Sequence, residues 1–389
     1  MKIFGSPDTF VEVSSTNLKL GRLVANFDFL RALLQHGDFD EYHLFCPTQK
    51  HVSVLQEAIE REILDEATRA KIHLFHHLDL QSQLQRVRYS VFHVGGWYFY
   101  YLRLAYLRAQ HARYPFVLTG IIHSLNTPDI PERMMDLLEA PLHPSDAIVM
   151  TSKCGRAVME AFERHAAARI MERYQVRRAF LGQRPVVPLA VTMDWFSPRS
   201  ASSARQALGF ASDQTVLLYM GRLSIDKKGD LSPLLYCFRR LIDCHGPQLV
   251  LVLAGGGNPA NQKLLTQTAQ SLGILGNVRI LPNVSDEVKH NLYGAADIFV
   301  SPIDSLQETF GISIVEAMAS GLPVVASGFD GYRELVVDGQ TGVLIPTLWG
   351  PMPESLRSLG VMVEPSVRQL AIAQNVAPSV GHMEEALTT

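Results

Sequence analysis

The sequence predicts an α/β protein made of two doubly wound domains, each built on a parallel sheet. Three observations point there. Short apolar runs alternate with amphipathic stretches along the chain. The alternation pauses at a Ser-rich segment near residue 200 and then begins again. The length, 389 residues, exceeds what one core ordinarily serves, since chains beyond ~250–300 residues tend to split.

In the first half, Tyr42-His43-Leu44-Phe45 and Val91-Phe92-His93-Val94 read as strands, as do 116–122 and 147–150. Each run is too short for a buried helix and rich in branched or aromatic side chains. The stretches 23–35 and 53–63 have the amphipathic pattern of helices. Strands that are apolar throughout, separated by helices, imply a parallel sheet covered on both faces. The segment 196–204, rich in Ser and containing Pro198, reads as a linker between domains 1–198 and 199–389. The second half then supplies strands at 215–220, 248–254, 278–281, 298–301 and 323–326. Two such domains are expected to face each other across a cleft, because open α/β sheets bind ligands outside the carboxyl ends of their strands. His382 onward reads as the first turns of a helix with no C-cap, so the second domain is expected to lack its final helices.

Composition narrows the function. The net charge of −3 removes the basic field that a nucleic-acid binder needs. The first ten residues have no long apolar run, so no signal peptide is expected, and no run is long enough to span a bilayer. The four cysteines (Cys46, Cys154, Cys237 and Cys244) form neither a CxxC pair nor a zinc spacing, which suits a reduced cytoplasmic compartment. His73, His76 and His77 also lack a metal-ligand spacing and read as surface or packing residues, so no metal site is expected. The run from Tyr98 to Arg108 mixes aromatics with arginines. It reads first as a core-facing helix with snorkelling arginines. The same mix would suit weak peripheral contact with the inner membrane face.

Three segments carry candidate chemistry. In Tyr219-Met220-Gly221-Arg222-Leu223, followed by Lys227-Lys228-Gly229, a strand ends in a turn and cations follow. Arg222 offers a planar fork for a phosphate and Lys228 a point charge. Together they could hold a diphosphate and stabilise its departure, although a solvated basic loop would look the same. Leu253-Ala254 runs into Gly255-Gly256-Gly257, where backbone can approach a ligand closely or simply turn. The third segment runs from Ser301 to Pro323. A helix is expected to start near Phe310, with Gly321 at its end and Pro323 beyond. The N–H groups of Gly311, Ile312 and Ser313 would point at an anion. Glu308 precedes this helix and Glu316 lies within it, and carboxylates accept hydrogen bonds from sugar hydroxyls. Glu308 could equally be an ordinary helix-start acid. Glu316 sits in the small, apolar run Ile314-Val315-Glu316-Ala317-Met318-Ala319, so it must be paired or bind something.

These residues resemble the nucleotide-sugar domain of the family 4 retaining glycosyltransferases, glycosyl transferases group 1, which have the GT-B fold. The matching features run in family order from about 216 to 346. They are Gly221-Arg222 with Lys228-Gly229, the strand into Gly255-Gly256, Leu281-Pro282-Asn283-Val284, and Ala295-Ala296-Asp297-Ile298-Phe299-Val300-Ser301-Pro302. Glu308 and Glu316 follow, then Gly321-Leu322-Pro323-Val324-Val325-Ala326 and Asp338-Gly339-Gln340-Thr341-Gly342. The resemblance implies that Arg222 and Lys228 bind the donor diphosphate and that Glu316 binds the ribose. Glu308, with the backbone of Phe310 and Gly311, would face the donor sugar, and Asn283-Val284 would lie against the base. Thr119-Gly120-Ile121-Ile122-His123 resembles the strand that ends in the family's active-site histidine, which would bond a sugar hydroxyl or a developing charge.

The implied activity is retaining, metal-independent hexosyl transfer from a UDP- or GDP-linked sugar to a glycan, lipid or small-molecule hydroxyl. No cofactor is expected beyond the donor. There are departures from the family pattern. The first loop, through Ser14-Ser15-Thr16-Asn17, lacks the usual Gly pair, and Pro188-Leu189-Ala190-Val191-Thr192 lacks the Gly and Asp of the family's turn. From Leu348-Trp349-Gly350 onward an unusual segment stands where the final helices are expected. Two other functions fit the same residues: a catalytically silent nucleotide-sugar-binding protein, or another GT-B enzyme such as a nucleotide-sugar epimerase or a phosphorylase.

Overall fold

A computed structural model describes residues 1–8, 10–11, 21–63, 65–127, 129–193, 195–198, 200–225, 228–306 and 308–388. The first-loop segment Ser14-Ser15-Thr16-Asn17, Arg199 and Lys227 lie outside them. The chain divides into two compact units, Met1–Leu189 and Ala190–Thr389. The division falls ahead of the expected 198/199 boundary because Phe196 is buried in the core of the second unit and Val191 packs against that core. The Ser-rich segment is not a linker. It opens the helix Ala201–Leu208, whose Ala204 is buried and whose Arg205 bonds Asp297 at 2.6 Å. Ser is as much at home at a helix start as in a loop.

The first unit holds β1 (Ile3–Ser6), β2 (Glu41–Cys46), β3 (Ile72–His76), β4 (Val91–Val94), β5 (Val117–Ile121) and β6 (Ala147–Val149). The second holds β7 (Thr215–Met220), β8 (Leu249–Gly255), β9 (Val278–Pro282), β10 (Ile298–Ser301), β11 (Val324–Ser327) and β12 (Gly342–Ile345). Both sheets are parallel, in the orders β3-β2-β1-β4-β5-β6 and β12-β11-β10-β7-β8-β9. Each unit therefore places its first strand beside its fourth. That juxtaposition, β1 with β4 and β7 with β10, is the switch point outside which doubly wound sheets bind ligands. β1, β3 and β12 are not foreseen from the sequence; β1 and β3 are short runs broken by Gly or His, and β12 has only four residues.

The cores explain the strand sequences. In β7 and β8, successive residues Val216, Leu217, Leu218 and Leu251, Val252, Leu253 are all buried, since helices cover both faces. Truncating one such leucine to alanine costs about 2–5 kcal/mol. In the first unit, the helix Trp97–His111 turns Trp97, Tyr101, Leu104 and Ala105 into the core. Arg108 is not snorkelling as the sequence suggests. It is 4% exposed, bonds both Asp146 carboxylate oxygens at 2.6 Å and donates to the Phe116 carbonyl at 2.8 Å. Arg103 and Tyr106 lie on the exposed side. Among the described residues no helix is long and apolar enough to cross a membrane.

After β12 the chain forms an antiparallel pair, β13 (Thr347–Trp349) with β14 (Val376–Pro378), connected through the helices Glu354–Leu359 and Pro365–Ala373. The last helix, Val380–Thr388, seats Met383 in the second core, and its Glu384 pairs with Arg240 at 2.9 Å.

Candidate active site

In the second unit, the loops that leave β7, β8 and β9 are tied together by backbone. Gly221 N–H donates to Ala254 O at 3.0 Å and Leu223 N–H to Gly256 O at 2.6 Å, while Asn283 N–H reaches Gly255 O at 2.9 Å. At Gly255, φ is 132° and the Gly221 carbonyl occupies the space a Cβ would take, so only glycine fits. Asn283 is left-handed, with φ 52°, a conformation asparagine tolerates well. Val284 packs against the core beside it. Gly221, Gly255 and Asn283 thus form one rim along the carboxyl ends of three strands.

Across the switch point, the loops after β7 and β10 meet. Lys228 Nζ pairs with Glu308 Oε2, and both side chains are mostly buried. Asp230 N–H donates to Asp304 Oδ1 at 3.0 Å. Glu308 is held by its own backbone: its N–H donates to Asp330 Oδ2 at 2.7 Å, and its carbonyl accepts from Gly331 N–H at 3.0 Å. Beneath them lies buried Tyr219, whose hydroxyl donates to the Arg222 carbonyl at 3.3 Å. Burial raises its phenol pKa. Lys228 and Arg222 oppose that rise and Glu308 adds to it, so all three charges act at this one hydroxyl. Burial also pushes the Asp304 carboxyl up to about 6.

The helix beyond is Ile312–Ala319, beginning two residues after the expected Phe310. Phe310 is buried, and Gly311 takes φ 101° with the Tyr332 ring where a Cβ would stand. The Tyr332 hydroxyl in turn bonds Ser301 Oγ at 3.0 Å. The start of this helix has no side-chain cap and no acid in its first turn. Its leading N–H groups, those of Ile312 and Ser313, are thereby suited to an anion.

Glu316 is 3% exposed and is paired, one of the two outcomes its sequence context demands. Its Oε1 meets Lys289 Nζ at 2.5 Å and its Oε2 accepts from the Tyr293 hydroxyl at 2.7 Å. Both partners lie one turn apart on the helix Asp286–Ala295, and Lys289 Nζ also stands 5.1 Å from the centre of the Phe196 ring. Glu308 and Glu316 therefore take different cations, Lys228 and Lys289.

His123 belongs to the first unit, just past β5. Its Nε2 lies 3.2 Å from Asn26 Oδ1. Asn26 Nδ2 donates to Asp8 Oδ2 at 3.1 Å, and the same oxygen accepts from Gly95 N–H at 2.5 Å. A carboxylate only accepts, so Asp8 fixes the Asn26 amide with its oxygen toward His123, and Nε2 must carry a proton. Asp8 follows β1 and Gly95 follows β4, which puts this relay at the switch point of the first sheet. Behind it, burial and then His123 push His93 down to about 4, and its Nδ1 lies 2.9 Å from Thr119 Oγ1.

Sequence patterns did not single out Asp8, Asn26, Lys289, Tyr293, Asp304 or Asp330. Each is an ordinary polar residue whose role depends on a partner far along the chain. Among the described residues, the one group of possible metal ligands, Glu41, His43 and His73, lies in neither network.

Residues 201–349 match the family profile described as Glycosyl transferases group 1. Over 167 residues the chain is 40% identical to a D-inositol 3-phosphate glycosyltransferase of Geodermatophilus obscurus, a match covering 41% of this chain and 36% of that protein. Over 233 residues it is 30% identical to a phosphatidyl-myo-inositol mannosyltransferase of Mycobacterium leprae, covering 58% of this chain and 59% of that protein. The matched part thus spans less than two thirds of either relative. Anabaena HepE, solved in complex with UDP, superposes with a TM-score of 0.64 at 17% identity, covering 100% of this chain and 98% of that one. Sucrose-phosphate synthase from Thermosynechococcus elongatus gives 0.59 at 18% identity, covering 100% and 95%. These likenesses are of fold, and the fold is GT-B.

Proposed function

Because residues 201–349 match the profile of the group 1 glycosyltransferases, we propose that the chain is a retaining, metal-independent hexosyltransferase using a nucleotide-sugar donor. The observation that carries this is the meeting of Lys228 and Glu308 at the switch point of the second sheet, beside an uncapped helix start. Lys228 has three N–H donors, so it can keep Glu308 while bonding phosphate oxygens. Arg222 and Lys228 hold the diphosphate, assisted by the N–H groups of Ile312 and Ser313. Each carboxylate oxygen of Glu316 accepts more than one bond, so Lys289 and Tyr293 orient it and leave capacity for the ribose. Asn283 and Val284, on the rim begun by Gly255, meet the base. Glu308, with the backbone of Phe310 and Gly311, meets the sugar, and in the first unit His123, held by Asn26, is the group suited to bond a substrate hydroxyl.

In the reaction, the bond from the anomeric carbon to the diphosphate oxygen breaks toward Arg222 and Lys228, which neutralise the leaving charge. The acceptor hydroxyl bonds to the same face, and its proton passes to the departing phosphate. The cations do the work that a metal ion does in other phosphate-leaving reactions, and no resident cofactor is required. The UDP of HepE favours a UDP-sugar over a GDP-sugar as the first donor to try. The names of the two relatives make inositol phosphates and inositol lipids the first acceptors. None of the four cysteines is in a disulfide among the described residues, which suits a reducing cytoplasm.

Thermal shift of the full chain with UDP and GDP, followed by anomeric NMR of the product formed from the matching donor, tests the proposal. Stabilisation by one diphosphate and retained configuration are expected. No stabilisation by either, or an equal shift in Lys228→Ala, would overturn it.

A further inference from the structure

At the opposite end of the first sheet from Asp8 and His123, a second group of side chains converges. β2 and β3 run parallel in a register that sets His43 beside His73. Glu41 lies two residues before His43, so it shares that face of the sheet. β3 is the edge strand, which leaves this corner open on one side. One ligand atom from each of the three residues lies within 4.8 Å of the others. Glu41 Oε2 is 2.9 Å from His43 Nε2, and the two imidazole rings are 5.2 Å apart at 80°.

We propose that Glu41, His43 and His73 bind a divalent transition-metal ion of the zinc type. Two imidazoles and one carboxylate form a ligand set that zinc takes with a further position left to water. Tetrahedral bonds of about 2.0–2.1 Å put ligand atoms roughly 3.4 Å apart; Glu41 and His43 are already within that spacing at 2.9 Å, and His73, within 4.8 Å of both, has only to draw in. The ion takes the place of the proton between His43 and Glu41.

A supporting partner is already in place. The hydroxyl of Tyr89, itself 2% exposed, lies 3.0 Å from His43 Nδ1. A tyrosine hydroxyl accepts as readily as it donates, so it can hold the Nδ1 proton once Nε2 carries metal, the usual arrangement around a ligating histidine. Glu41 and Tyr89 also line a cavity of about 620 Å³ shared with Arg86, Arg88 and Ser90. Glu41 thus brings one edge of the trio to a space that can hold water or a small anion.

The spacing in sequence conceals the trio, since His73 reaches His43 only through strand register. Stripped, full-length protein titrated with Zn²⁺ against a chromophoric chelator is expected to take up one tight equivalent. Co²⁺ is expected to give the visible absorption of a low-coordinate site. His73→Ala and Glu41→Gln, the latter nearly isosteric, should each lose the tight equivalent. Tyr89→Phe should weaken it roughly 10–100-fold, and His111→Ala should leave it unchanged. Absence of a stoichiometric equivalent in the parent, or parental affinity in both His73→Ala and Glu41→Gln, overturns the site.

Discussion

Lys228 and Glu308 stand in loops that follow β7 and β10, and their ion pair spans the point where the strand order of the second sheet reverses. Eighty residues separate them in sequence. The buried Tyr219 hydroxyl feels both charges together with that of Arg222. If these cations receive a departing diphosphate, Arg222→Ala should lower turnover about 10²-fold, the scale of losing one transition-state donor. Initial rates of donor consumption check this, and activity within a few-fold of the parent contradicts the role.

The grip of Tyr293 on Glu316 gives a stability prediction. The hydroxyl donates to a carboxylate that is 3% exposed. Tyr293→Phe should cost about 1.5–3 kcal/mol, the range for a hydrogen bond to a charged group. Urea unfolding of the two proteins measures it.

Gly311 opens the helix Ile312–Ala319 at φ 101° with Tyr332 against it. Gly311→Ala imposes a backbone conformation that an L-residue resists at about 1–3 kcal/mol and pushes a methyl group into the ring. The melting temperature should fall, and stabilisation by nucleoside diphosphate should fall with it, because the helix start moves.

Asp304 gives a pH dependence. Burial raises its carboxyl from 3.8 to about 6. Below pH 3.8 the folded and unfolded chains both hold the proton. As pH climbs to about 6, the unfolded chain ionises first, so this group withdraws stability across that window and no further above it. Asp304→Asn does not titrate. Its advantage over the parent should grow between these two values, by at most roughly 3 kcal/mol, and then level off. Denaturant midpoints measured through this window and above it would reveal a flat difference if the account is wrong.

In the first unit, Asp146 and Arg108 are 0% and 3% exposed at their side chains. Removing the carboxylate strands a buried guanidinium, and Asp146→Ala should cost about 3–5 kcal/mol. Parental stability by denaturant unfolding would refute the estimate.

Much of the fold is legible in the sequence, because a strand covered on both faces must be apolar at every position. β4, β7 and β10 have the bounds read from the sequence, 91–94, 215–220 and 298–301. β1 and β3 are not legible in this way. The first is four residues long, and the second alternates histidine with Leu74 and Phe75. The Ser-rich segment misleads because Ser suits a loop and a helix start alike, and only the burial of Ala204 against the second core decides between them.

The sequence by itself determined the two α/β units, a helix starting near Phe310, and the presence of Arg222, Lys228, Glu308 and Glu316 in family order. Those are properties of local pattern and spacing. Only the tertiary structure decided the partners: Lys228 for Glu308, Lys289 and Tyr293 for Glu316, Asn26 and Asp8 for His123, and His73 for His43. A charge or an imidazole acquires its role from what lies within a few ångströms of it, and parallel strand order, not chain neighbourhood, sets those distances.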